Sequence, residues 1–201
     1  MAITIGNNMH SLFRLSLIIL ISLFLASCTT TGQGVDENLL QVPTGKGLVL
    51  FSTGAERPSS LHSTYLTLVE GNSRKSYDKV IIILNNPFTA SHFKDSHGQV
   101  RTLALPPGEY FLVPSSVNPY FIMITAPVYR FMVTEKKVTY IGNFHLGDNQ
   151  LIWSPTKLQR DTEFFIEKNS AMSGADIKIQ KAEIVSNVAD FKIKGTIWGI
   201  P

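Results

Sequence analysis

Hydrophobic and polar positions divide the chain into three parts. Residues 15–25 are mostly apolar, residues 29–45 are mostly polar and rich in Thr and Gly, and the remainder alternates short apolar stretches with turn residues. An apolar stretch of 11 residues is too short for a transmembrane helix, which needs about 20. Because Arg14 precedes the stretch and the small residues Ala26 and Ser27 follow it, the pattern is typical of a secretory signal.

The rest of the chain predicts β-strands. Residues 80–84 are apolar, largely β-branched and followed by Asn-Asn-Pro, which predicts a buried central strand. Residues 138–146 show the clearest period of two and predict a half-buried antiparallel strand. One face of that strand holds Val138, Tyr140, Gly142, Phe144 and Leu146. Residues 131–133 precede it across the polar stretch 134–137, so a hairpin is expected there.

Helical periodicity is weak after residue 45, and the best candidate is one short helix at 185–191. Turns such as Pro106-Pro107-Gly108 separate the apolar stretches. The chain is therefore expected to be mainly β: an antiparallel β-sandwich of about seven to nine strands with at most one or two short helices. We expect the folded part to be a single domain over residues 46–201.

The apolar stretch ends in Leu-Ala-Ser-Cys at residues 25–28, which resembles the lipobox of bacterial lipoproteins. The resemblance implies that signal peptidase II cleaves between Ser27 and Cys28, and that Cys28 then carries a covalent diacylglycerol and an N-acyl chain. It gives a signal peptide at 1–27 and a lipidated cysteine with a flexible tether at 28–45. No other cofactor is expected.

This resemblance also implies a location. A lipidated Cys28 would anchor the protein in the bacterial cell envelope. Thr29 stands in place of the aspartate associated with inner-membrane retention, which favours the outer membrane if the organism is Gram-negative. The expected partners are the membrane, through the lipid, and other envelope proteins. A start at Met9 instead of Met1 leaves this expectation unchanged, because it only shortens the leader.

Composition excludes several classes of function. Cys28 is the only cysteine, so a lipidated chain would have no disulfide, no catalytic thiol and no cysteine metal ligand. After the predicted cleavage the chain carries 17 basic and 15 acidic residues, which is too even a balance to indicate a nucleic-acid partner. Hydrophobic residues at 44% and charged residues at 16% fit a folded domain.

A second resemblance concerns the domain itself. The segments LPPGEYFL at 105–112, YRFMV at 129–133 and KKVTYIGNFHL at 136–146 are similar to those of small bacterial lipoproteins with a transthyretin-like or carboxypeptidase-regulatory-like sandwich. The likeness covers roughly residues 46–146 and rests on structural positions. It therefore implies a fold and no active residue, and the residues after 146 lie outside it.

Polar side chains are densest at residues 88–98, where His92, Asp95 and His97 lie close in sequence. Two imidazoles and a carboxylate suit a divalent metal such as zinc. A solvated loop between two strands explains the same residues without any ligand. The sequence leaves both interpretations open.

Serine chemistry has weaker signals. Ser91 with Lys94, and Ser154 with Lys157, match the S-x-x-K pattern of penicillin-interacting enzymes, but the partner motifs S-D-N and K-T-G are absent. Three acidic residues at 161–167 are expected to form a charged surface patch and not an acid–base pair, which would need burial. They are Asp161, Glu163 and Glu167.

Aromatic residues at two places are candidates for a partner surface: Tyr120 with Phe121, and Trp198 near the end of the chain. For the first pair the sequence favours a core strand, because several apolar residues in succession usually lie inside, and the partner surface is the alternative. With no catalytic motif, the sequence predicts a non-enzymatic structural or interaction module of the envelope. The alternative is a lipoprotein that binds a small ligand or a divalent metal, and a cell-wall hydrolase is the third hypothesis.

Overall fold

Strands account for 51% of the residues that the structure describes, and helices account for 12%. The computed structural model describes residues 38–56, 58, 64–116, 125–148 and 150–194, apart from the side chains of residues 78, 79 and 81. All of these residues belong to one compact unit, Gly32–Pro201. The described strands are β1 (Gly47–Ala55), β2 (Thr64–Glu70), β3 (Ser76–Ile83), β4 (His97–Leu105), β5 (Gly108–Ser116), β6 (Pro127–Val133), β7 (Val138–Gly147), β8 (Gln150–Ser154), β9 (Ile177–Ile179) and β10 (Glu183–Asn187).

The strands form two five-stranded sheets. The first sheet has the order β4-β1-β7-β8, with β9 also pairing with β7, and the second has the order β10-β6-β5-β2-β3. Strand β7 runs parallel to β1 and to β9, whereas the other pairs are antiparallel. The expected mainly-β sandwich is therefore confirmed. It differs from the prediction in having ten described strands and two parallel pairs.

Two predictions about the arrangement of strands are wrong. The turn at 134–137 does not close a hairpin, because β6 belongs to the second sheet and β7 to the first. This turn carries the chain from one layer of the sandwich to the other. Residues 80–84 do not form a central strand either, since β3 is the edge of the second sheet, although Val80 and Ile82 are buried as expected.

The main core lies between the two sheets. From β1, Val49 and Phe51 point into it, and Leu66, Leu112 and Phe131 meet them from the second sheet. All nine residues of β1 are buried, because β1 is a central strand with both of its faces covered. Burial of each of these large side chains contributes about 1.5–3 kcal/mol.

Helix α1 (Leu158–Lys168) covers the outer face of the first sheet. Its Phe165 packs with Leu50 of β1 and Tyr140 of β7 in a second hydrophobic cluster. The helical spacing of three and four residues places Leu158, Asp161 and Phe165 on one face. The apolar period is missing from the sequence because Asp161, a polar residue, occupies the middle of the buried face. This helix was therefore not predicted.

The prediction of a helix at 185–191 is wrong for most of these residues. Residues 183–187 form β10, which pairs with β6, and only Val188–Asp190 forms a single 3-10 turn. A second 3-10 turn follows α1 at Ser170–Met172. None of the described helices is long and apolar enough to span a membrane.

A β-bulge at Gly142 changes which side chains of β7 share a face. Leu50 of β1 is opposite Tyr140, and Ser52 is opposite Asn143, so β7 holds one more residue than β1 between the two pairs. Gly142 adopts a φ of +106° at this point, which glycine tolerates best. As a result, the side chains of Tyr140 and Asn143 lie on the same face of the first sheet as Ser52. The alternation predicted for 138–146 is interrupted here.

Candidate functional site

Five polar side chains form a hydrogen-bonded cluster, the polar network, between the first sheet and α1. They are Ser52, Tyr140, Asn143, Arg160 and Asp161. Oδ2 of Asp161 accepts hydrogen bonds from the Ser52 hydroxyl at 2.5 Å and the Tyr140 hydroxyl at 2.8 Å. Oδ1 accepts two more from Arg160, from Nε at 2.9 Å and from Nη2 at 2.7 Å. The buried carboxylate is thus fully hydrogen-bonded.

The Ser52 hydroxyl is the centre of this network. It donates to Asp161 and accepts hydrogen bonds from Nδ2 of Asn143 at 2.8 Å and from Nη2 of Arg160 at 3.1 Å. Ser52 is on the outward face of β1, two residues after Leu50, and the Gly142 bulge places Asn143 beside it. The network therefore depends on backbone geometry as much as on the identity of its side chains.

Charge within the network is balanced by one ion pair. Asp161 is fully buried, and the side chain of its partner Arg160 is 33% exposed. Burial, followed by the charge of Asp161 nearby, raises the pKa of Tyr140 well above its usual value. Tyr140 therefore stays protonated and remains a hydrogen-bond donor at neutral pH.

A pocket of about 300 Å³, the basic pocket, lies next to the network. It is lined by Thr53, Gly54, Phe93, Ser96, Asn143, His145, Ser154, Lys157 and Arg160. Arg160 and Asn143 thus belong to both the network and the pocket. The ring of Phe93 lies under the Arg160 guanidinium, with 3.5 Å between the guanidinium carbon and the ring centroid. Such a stack fixes the plane of an arginine while leaving its edge available for hydrogen bonds.

His145 of β7 lines the basic pocket, with Nδ1 close to Gly54. Burial lowers the pKa of His145, the charge of Glu56 raises it, and the charges of Lys157 and Arg160 lower it further. The net pKa is below the usual 6.5. Because the pKa of His145 is lower in the folded than in the unfolded protein, neutral His145 contributes to the free energy of unfolding. This contribution is complete above pH 6.5 and is lost as the pH falls through the folded pKa.

We therefore expect an NMR titration of the His145 ring to give a lower pKa in the folded protein than in the same protein unfolded in urea. The free energy of unfolding of the His145→Gln variant should then fall less steeply with decreasing pH than that of the wild type. A folded pKa equal to or above the unfolded value would contradict this expectation.

The predicted metal ligands are not brought together. Nδ1 of His92 accepts a hydrogen bond from the Val100 amide at 3.1 Å, and its ring stacks on Phe164 with 4.4 Å between centroids. Asp95 is exposed in the loop, and His97 is half-buried at the start of β4. Among the described residues, no three His, Cys, Asp or Glu side chains are placed to hold a metal ion. His92 instead attaches the 85–96 loop to α1.

The serines of the two S-x-x-K matches have local structural contacts. The Ser91 hydroxyl donates to the Ser96 carbonyl at 2.8 Å and accepts from the amides of Phe93 and Gly98 at 3.1 Å each, which shapes the loop. The Ser154 hydroxyl accepts from the Thr156 amide at 3.2 Å and contacts its hydroxyl at 2.9 Å. Ser154 and Lys157 both line the basic pocket.

The polar network was missed by reasoning from sequence. Asp161 was assigned to a charged surface patch, which is wrong, because it is fully buried; Glu163 and Glu167 are exposed. The available signal was the spacing of four residues between Asp161 and Phe165, which puts both on one helix face. Once Phe165 is assigned to the core, that spacing buries Asp161 as well.

Other predicted site residues lie outside the described part of the chain. These are Ser27 and Cys28 of the predicted cleavage site, and Tyr120, Phe121 and Trp198 of the predicted partner surface. Comparison of the whole chain with protein-family models, with curated proteins and with solved structures finds no match in any of the three.

Proposed function

We propose that this protein is a lipid-anchored protein of the bacterial envelope, whose β-sandwich is a non-enzymatic interaction module. The observation that carries the proposal is the sequence Leu-Ala-Ser-Cys at 25–28, where the only cysteine of the chain follows an apolar stretch of signal-peptide length. Two or more acyl chains on Cys28 would give stable anchoring, because each buried methylene contributes about 0.8 kcal/mol.

The segment after Cys28 supports the same proposal. The chain is attached to the domain from Asn38 onwards, which makes the tether predicted at 28–45 too long. The Asn38 amide donates to the Lys168 carbonyl at 3.1 Å, the Leu39 amide donates to Oδ1 of Asn169 at 2.7 Å, and the Leu39 side chain packs against the second hydrophobic cluster. The 9 residues at 29–37 remain between Cys28 and this attached part. A flexible chain of that length has a root-mean-square reach of roughly 15–18 Å. The sandwich would therefore stay near the membrane surface, within reach of other envelope proteins.

The geometry of the polar network supports a structural role for Ser52 and not a role as a catalytic nucleophile. A serine nucleophile needs an accessible hydroxyl and a base that can take its proton. Ser52 is fully buried, and its hydroxyl already accepts two hydrogen bonds and donates one to a carboxylate paired with Arg160. These contacts suit a group that holds α1 on the first sheet.

The anchor is tested by changing Cys28 to Ser in cells that express the full-length chain and are labelled with a palmitate analogue. The wild-type protein should carry the label and sediment with membranes. The Cys28→Ser variant should carry no label, because serine has no thiol to receive the diacylglycerol. A Ser27→Ala variant is the matched control and should keep the label, since a small residue remains before the cysteine.

Two outcomes would contradict the proposal. One is a wild-type protein without label, and the other is a Cys28→Ser variant that is still labelled. Chemical crosslinking in intact labelled cells then tests the interaction role. Crosslinked species that depend on the lipidated form would support it, and a fully monomeric pattern at every crosslinker concentration would count against it.

A further inference from the structure

Basic side chains dominate the charge of the basic pocket. Of the nine residues that line it, Lys157 and Arg160 are cationic, His145 is titratable, and none is a carboxylate. Two acidic side chains lie near the pocket but do not line it. Asp161 is paired with Arg160 in the polar network. The carboxylate of Glu56 lies close to Gly147, and its charge raises the pKa of His145. The lining therefore offers hydrogen-bond donors and positive charge.

Arg160 is held in a fixed orientation but is not fully used. Its Nε and Nη2 contact Asp161, Nη2 also contacts Ser52, and Nη1 makes no hydrogen bond to any described residue. The stack on Phe93 restrains the guanidinium plane from one side. A side chain ordered in this way loses little further conformational entropy when it binds a ligand.

Lys157 adds a positive charge that is not neutralised locally. It is exposed, and among the described residues it forms no salt bridge. Lys157 is the N-cap residue of α1 and makes no side-chain capping hydrogen bond, whereas Arg160 in the first turn is paired with Asp161. The helix dipole disfavours the unpaired Lys157 cation at this end, and an anion in the pocket would offset that cost.

From these observations we infer that the basic pocket binds a small soluble anion with one carboxylate or phosphate group, held by Nη1 of Arg160 and the Lys157 ammonium. The N–H groups of a guanidinium and of an ammonium each donate charge-assisted hydrogen bonds to carboxylate and phosphate oxygens. A volume of about 300 Å³ is at the lower end for ligand sites, so it suits a molecule the size of one sugar unit. This inference goes beyond the proposed anchoring and does not depend on it.

The test uses the purified full-length chain in a neutral detergent, followed by NMR and calorimetry. Glucose 1-phosphate and glucuronate are the anionic probes, and glucose is the neutral control. Both anions should bind saturably and shift the amide signals of Asn143, His145 and Arg160, and glucose should not. Binding should also raise the pKa of His145, because an adjacent anion favours the imidazolium.

Two variants separate a specific site from general electrostatic attraction. Lys157→Gln removes a pocket cation that makes no contact in the polar network, and it should weaken anion binding at least fivefold. Lys181→Gln removes one exposed cation outside the pocket lining and should leave the affinity unchanged. Both variants have the same net charge, so equal losses would overturn the inference.

The source of the anion is tested with vesicles of phosphatidylcholine with and without phosphatidylglycerol. Binding of glucose 1-phosphate or glucuronate without preference for the anionic vesicles supports a soluble ligand. Binding to the anionic vesicles that neither sugar anion displaces would overturn that assignment. The absence of any amide shift with both sugar anions at about 20 mM would also overturn it, because that concentration is well above a dissociation constant of about 1 mM. The palmitate result for Cys28 has no bearing on these outcomes.

Discussion

Replacing Asp161 by alanine is expected to lower the free energy of unfolding by about 3–5 kcal/mol, because it removes the buried carboxylate that accepts hydrogen bonds from two buried hydroxyls and pairs with the partly exposed Arg160. The change leaves the hydroxyls of Ser52 and Tyr140 and the Arg160 guanidinium without their shared acceptor. A loss of this size is a large fraction of the total stability of a typical domain, about 5–15 kcal/mol. Urea denaturation followed by circular dichroism measures it.

Two further variants make the Asp161 prediction specific. Asp161→Asn keeps the shape and one acceptor oxygen, so it should cost less, about 1–3 kcal/mol. Glu167→Ala removes an exposed acid from the same helix and should change stability by less than about 0.5 kcal/mol. If Asp161→Ala and Glu167→Ala have equal effects, the polar network does not hold α1 on the sheet.

Replacing Gly142 by alanine is expected to cost about 3–5 kcal/mol through two separate effects. The φ of +106° is strained for any residue with a Cβ. In addition, a Cβ at this position would lie 2.3 Å from Nε1 of Trp153, which donates a hydrogen bond to the Ile141 carbonyl at 2.6 Å. The Trp153 ring would have to move and lose that bond. Thermal and urea unfolding measure the loss.

The two effects can be separated with matched glycines. Gly45 has a φ of +72° with no atom near its Cβ position, and Gly174 has open space without a positive φ. Gly45→Ala should cost about 1–2 kcal/mol from strain alone, and Gly174→Ala should be close to neutral. In a Trp153→Ala background, Gly142→Ala should cost less than in the wild type, and the remaining loss should come from the strained φ and from the Ser154 carbonyl oxygen, 3.1 Å from the Cβ position. A Gly142→Ala variant as stable as the wild type would show that the bulge does not need glycine.

The sequence predicted the fold class because strand patterns are local. Alternation and turn residues are read within windows of five to ten residues, and the expected sandwich followed from them. Pairing is not local: β6 and β7 are joined by a four-residue polar stretch typical of a hairpin, yet they lie in different sheets. Side-chain alternation is the same in either case, so it does not distinguish a hairpin from a crossing between layers.

The candidate site was less predictable because its residues break local patterns. Asp161 interrupts the apolar face of α1 and so concealed the helix. Ser52 is one hydroxyl within an otherwise apolar start to β1, and it gives no signal without its partners. Gly142 did carry a signal, since an isolated glycine within a strand pattern is typical of a bulge. The alternation of residues 138–146 predicts Gly142 instead as one more member of the face that holds Tyr140 and Phe144.

The floor and the wall of the basic pocket belong to two regions that are expected to differ in local stability. The floor belongs to β1 and β7, which are paired on both edges, so amide hydrogen exchange there should require global unfolding. The wall includes the 85–96 loop, attached by a few contacts of Ser91, His92 and Phe93. Substitutions in that loop are therefore expected to change the shape of the basic pocket at little cost to the free energy of unfolding, whereas substitutions in β1 or β7 should change both together.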